Sequence, residues 1–352
     1  MMPARETWVN PALAMLLCLT AGALFAWLNV PLPWMIGPLA AMATCNFQGA
    51  ALRAPRSARE LGQLIIGTAL GLYFTPEVVR EVASHWPVLV IAAGLALALA
   101  AISGWMLHRV SGIDRTTAFF GSVPGGATEM AVLADKLGAR VDRVAFAQSL
   151  RILIVVVVVP FSMTYAGVSG ADIYQPAAGV VVWPQLVVLL GIAAMAGAIF
   201  SLLRLPNAFM LGPLLVVIVL TASEVRFSAI SNVVSGGGQL LIGCALGARF
   251  GRGSGGALRR FVVAVVVSTL AAIVLAASVG TGLAWAYGLS VPTLILATAP
   301  GGIAEMCVTA KVLQLGVPLV TAAHVTRVLA LVTLTAPLFH AARSLGARIG
   351  RE

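Results

Sequence analysis

From Pro87 to Met106 twenty residues pass without a charge, and Val180 to Leu203 and Phe261 to Leu289 do the same. An α-helix needs about 20 apolar residues to cross about 30 Å of hydrocarbon. Lipid offers no partner to a backbone N–H or C=O, so a spanning segment of this kind must close its own hydrogen bonds as a helix. Composition agrees: 60% of the residues are hydrophobic, 10% are charged and the mean hydropathy is +1.01, where a soluble domain carries roughly 25% charge. The expected class is an all-α polytopic membrane protein. The first apolar run, Pro11 to Val30, has a counterpart at Trp183 to Leu203, which is too deep in the chain to be cleaved. It is therefore read as a retained helix rather than a signal peptide.

The chain is written twice. Gly62-Gln63-Leu64-Ile65-Ile66-Gly67 returns as Gly238-Gln239-Leu240-Leu241-Ile242-Gly243, and Pro124-Gly125-Gly126-Ala127-Thr128-Glu129 returns as Pro300-Gly301-Gly302-Ile303-Ala304-Glu305, both 176 residues later. Gln148 and Arg151 answer His324 and Arg327 at the same offset, and Gly37-Pro38 answers Gly212-Pro213 at 175. Motifs in one order at one period mark a duplicated architecture. The repeats run from 8 to 168 and from 182 to 345. Six hydrophobic segments are read in each, the fifth spanning 116 to 136 and 292 to 313.

Loop charge sets the expected orientation. If all twelve segments cross, Lys and Arg divide evenly between the two sides. If the fifth segment of each repeat dips in and returns, only Arg80, Arg226 and Lys311 of the loop cations fall outside. Five crossings per repeat is odd, so the second copy is expected to be inverted. A broken fifth helix that crosses, with another segment lying flat, is the alternative. The net charge of +10 then belongs to positive-inside loops of an inner-membrane protein and not to a nucleic-acid surface.

A Pro-Gly-Gly step inside an apolar segment breaks the helix, because Pro lacks an N–H and Gly is flexible. Lipid will not satisfy the freed groups, so the break must face protein or a watery cavity. Interrupted helices at matching places in two repeats are the best sequence pointer to a transporter's midplane site. Pro124, Gly125, Gly126, Pro300, Gly301 and Gly302 are the candidate break. Glu129 and Glu305 follow in the first turn of the resumed helices, where the dipole favours anions. Arg151 and Arg327 interrupt the sixth segments, and a charge at such depth needs a partner; one Glu–Arg pair per repeat is the simplest. Its bland version is a structural ion pair. Gln148 and His324 lie three residues before each Arg on the same face. Gln63 and Gln239 are candidates to line the cavity, while Gly67, Gly71, Gly243 and Gly247 read as helix-packing positions. Cys18, Cys45, Cys244 and Cys307 sit singly in apolar segments and His85, His108, His324 and His340 are scattered. No disulfide framework, metal centre or cofactor is expected.

The duplicated GSVPGGATEMAVLADKLG and ATAPGGIAEMCVTAKVL segments, with the paired IGPL and LGPL steps, resemble those of the bacterial AbrB-type membrane proteins over nearly the whole chain. The resemblance implies the labels carried by that family, candidate ammonia monooxygenase and membrane regulator of gene expression. The arrangement also looks like that of inverted-repeat secondary transporters such as 2-hydroxycarboxylate carriers, an analogy of architecture. The expected function is secondary transport of a small, anionic solute, without enzymatic activity. The alternative is a membrane regulator or sensor that binds its signal in the same pocket. The implied partners are the lipid bilayer and a solute with a coupling ion, not nucleic acid; a homo-oligomer stays open.

Overall fold

The computed structural model describes residues 11–124, 127–170, 174, 176, 179–225, 227–250 and 257–349, with the side chains of 127–129, 131, 257–258, 336 and 338–349 left aside. Among these residues every regular element is an α-helix. In the first repeat they are α1 (Pro11–Trp27), α2 (Pro33–Phe47), α3 (Ala58–Gly71), α4 (Pro76–Ser84), α5 (Trp86–Ser111), α6 (Arg115–Ser122), α7 (Ala127–Lys136) and α8 (Val141–Tyr165). The second holds α9 (Trp183–Leu202), α10 (Ala208–Ala222), α11 (Asn232–Gly247), α12 (Ala257–Tyr287), α13 (Val291–Thr298), α14 (Ile303–Leu313) and α15 (Val317–Ile349).

Among the described residues, five helical stretches are long and apolar enough to cross a membrane: Trp86–Ser111, Val141–Tyr165, Trp183–Leu202, Arg259–Tyr287 and Val317–Thr335. Their outer faces leave large apolar side chains such as Val187, Leu202 and Val274 exposed, as lipid requires. Trp27, Trp86, Trp183 and Trp285 are all exposed and stand in the first or last turns of α1, α5, α9 and α12. Amphipathic rings at helix ends belong at the headgroup level. The protein is a membrane protein.

The helices form two compact units, and each draws on both repeats. The first unit takes residues through Ala83, Val156–Leu258 and Ala304–Pro318; the second takes Ser84–Val155, Arg259–Ile303 and the chain from Leu319. In the first unit α2 packs on α11 and α10 on α3. Pro38 and Pro213 lie inside α2 and α10, and both helices are entered through a left-handed residue, Leu32 at φ 52° and Asn207 at φ 48°. The glycine faces show why the contacts are so close. A Cβ on Gly67 would stand 2.6 Å from Met210 O, and one on Gly243 would strike Met35 O. A Cβ on Gly71 would meet Val217 Cβ at 2.6 Å, and one on Gly247 would meet Met42 Cβ at 2.6 Å. Each contact is the other's image with the repeats exchanged. Cys18, Cys244 and Cys45 share one apolar cluster here as free thiols.

The second unit is built on α5 and α12, which end at left-handed glycines, Gly112 at φ 75° and Gly288 at φ 65°. Gly terminates helices at this conformation because it has no Cβ to clash. The chain then enters α6, whose N-terminus is capped by Asp114 Oδ1 accepting from Thr117 N at 2.8 Å. The fifth segment of each repeat is not one helix. It is a pair of half-helices, α6 with α7 and α13 with α14, of eight to eleven residues. At about 1.5 Å per residue no half crosses the hydrocarbon by itself. α4, nine residues long, lies outside the six expected segments.

Candidate functional site

Helices α6 and α13 stop at the same repeat position. Val123 turns to φ −63°, ψ 124° and Ala299 to φ −55°, ψ 139°, the extended geometry that the following Pro124 and Pro300 impose on the residue before them. Each stop strands carbonyls that would have accepted from the next turn.

The sixth segments supply the missing donors. Gln148 Nε2 on α8 donates to Phe120 O at 2.7 Å and Val123 O at 2.8 Å. Arg151 Nη1 donates to Ser122 O and Val123 O, both at 3.1 Å, and its Nη2 to Gln148 Oε1 at 2.6 Å. On α15, His324 Nε2 meets Leu296 O at 2.9 Å; a carbonyl only accepts, so that nitrogen carries the proton. Arg327 Nη1 donates to Ala299 O at 2.6 Å and Nη2 to Gly301 O. Phe120 and Leu296, and likewise Val123 and Ala299, are 176 residues apart, so the capping is itself repeated. Gln148 and His324 are fully buried, and Arg151 and Arg327 are 6% and 3% exposed.

Both breaks open on one cavity inside the second unit. Pro124, Pro300, Arg151 and Arg327 line it, together with Ser103 of α5, Ser268 and Thr269 of α12, and Ser122 and Thr298 at the ends of the half-helices. Its volume is about 20 Å³, room for about one water. Thr298 Oγ1 also donates to Ala276 O at 2.9 Å, tying α13 to α12. Among the described residues Arg151 Nε and His324 Nδ1 have no hydrogen-bond partner. The five hydroxyl residues escaped the sequence reading, although Ser122 and Thr298 stand at the repeat offset directly before the break.

Gly301 is buried and Gly302 half-buried at the second break. Gly125, Gly126 and the Glu129 side chain lie outside the described residues. Glu305 is 7% exposed in the first turn of α14, its carbonyl accepting from Thr309 Oγ1 at 2.7 Å. Gln63 on α3, Gln239 on α11 and Glu305 itself belong to the first compact unit, not to the one that holds the cavity.

The model of the family described as Transition state regulatory protein AbrB matches residues 34–343, a span holding both breaks and both arginines. A protein of Escherichia coli (strain K12), named as a candidate regulator AbrB, is 28% identical over 319 residues, 89% of this chain and 90% of that one. The Bacillus subtilis (strain 168) protein YhjN, whose name gives no function, is 29% identical over 303 residues, 79% of this chain and 77% of its own. With the matched span covering most of its length, the chain belongs to the AbrB family.

Proposed function

We propose that this chain is a secondary transporter of a small anionic solute, working in the bacterial inner membrane from the cavity at the paired breaks. One observation carries the reading: Pro124 and Pro300, equivalent positions of the two repeats, line the same buried space with Arg151 and Arg327. Interrupted helices at a repeat interface are how such transporters expose backbone groups to a solute at membrane depth. The described lining holds two guanidiniums and five hydroxyls but no carboxylate, which favours an anion. A space of about 20 Å³ must enlarge to admit an organic solute, as an alternating-access cycle provides. The reciprocal packing of α2 on α11 and α10 on α3 fits a two-fold relation between the repeats, and the loop charge favours its inverted form, with the broken fifth segments dipping in and returning.

A second reading follows from the name of the E. coli relative. In it the same cavity binds a signal and passes it on without moving it. Both readings are tested first by binding. Small carboxylates and inorganic anions that raise the thermal midpoint of the purified protein should lose that effect in Ser122→Ala and Thr298→Val. Stabilisation unchanged in both variants would place the binding elsewhere.

A further inference from the structure

Where a helix is broken inside a membrane, the end of its first half gathers carbonyl oxygens and the negative end of a dipole. In transporters with interrupted helices, such ends coordinate the coupling cation. In this protein a side chain already does so at both breaks. Ser122 O and Val123 O accept from Arg151, and Ala299 O and Gly301 O accept from Arg327. Gln148 and His324 take the carbonyls of the preceding turn, Phe120 O and Leu296 O. A guanidinium is a permanent cation with planar, fixed donors. With both arginines buried and bonded to these oxygens, the guanidiniums fill the place beside the carbonyls, and their fixed charge repels a metal ion from the same oxygens.

We propose that Arg151 and Arg327 are tethered cations holding, at the two breaks, the positions that a coupling metal ion would occupy. The breaks then work without Na⁺, and each becomes a site for a small free cation once its arginine is shortened. The consequence for transport rests on the reading of the breaks as the solute site, but the assignment itself does not.

The test compares thermal midpoints of the purified full chain in NaCl and in choline chloride at equal ionic strength, with no solute present. The wild type should melt at the same temperature in both. Arg151→Ala and Arg327→Ala should melt several degrees lower and be partly restored, saturably, by Na⁺ or by millimolar guanidinium but not by choline, which is too large for the space. Saturable Na⁺ stabilisation of the wild type overturns the proposal, and so do folded alanine variants that respond to neither cation. If the alanine variants do not fold, Arg151→Lys and Arg327→Lys take their place: an ammonium keeps the charge at the carbonyls, so they should be indifferent to Na⁺, and a Na⁺ response there also overturns it. Since no transport is measured, a transporter with Na⁺-dependent midpoints would sink this assignment alone, while a protein that moves no solute would leave it standing.

Discussion

Arg151 ends at two backbone oxygens and the amide of Gln148. Removing it takes the guanidinium donor from Ser122 O and from Gln148 Oε1 in a buried place, while Val123 O keeps Gln148 Nε2; an unsatisfied buried polar group costs about 1–3 kcal/mol. Arg151→Ala should therefore destabilise by roughly 3 kcal/mol, read as a lowered midpoint at constant detergent. A double variant adding Glu129→Gln separates capping from ion pairing. If carbonyl capping holds Arg151, the second change recovers nothing; a partial recovery would mean that Glu129 is its charge partner. That a charge stood in each sixth segment was legible from the letters Arg151 and Arg327. What it touches was not, because every residue type carries the same backbone carbonyl and only the position of the break decides which carbonyls lose their helical partners. Gln63 and Gln239, polar side chains in apolar segments that the sequence offers as cavity lining, sit in the first compact unit.

At the scale of elements, Pro124 and Pro300 were sufficient to find the breaks, since the missing N–H is written into the residue. The split of α6 from α7 and of α13 from α14 follows from that. Helix α4 was not legible: nine residues containing Glu77, Arg80 and Glu81 give too short a pattern to tell from a loop. The glycine faces make a contrast that tests the packing of the first unit. Gly243→Ala puts a methyl against the backbone of α2 at Met35, and overpacking against backbone should cost about 1–3 kcal/mol. Gly191→Ala on α9 meets nothing within 4 Å and should be neutral or stabilising by up to about 1 kcal/mol. Thermal midpoints of the two variants check this; equal losses would mean that the α2–α11 contact is not as close as the structure has it.

For the whole molecule, the two compact units were not legible in the sequence, because each is assembled from distant pieces of the chain. The expected inversion makes a topological prediction. In a background lacking Cys18, Cys45, Cys244 and Cys307, Arg140→Cys beyond α7 should label from the cytoplasm and Val312→Cys at the end of α14 from the periplasm. Both side chains are exposed, and labelling of both from one side would contradict inversion. Whether the paired breaks serve to move a solute is decided by uptake into proteoliposomes of the anion that most stabilises the purified protein. A transporter should show saturable accumulation above protein-free vesicles, with trapped label released on adding unlabelled anion outside. Binding at a fixed ratio to protein, with no label reaching the lumen, would contradict transport and leave the chain a membrane receptor.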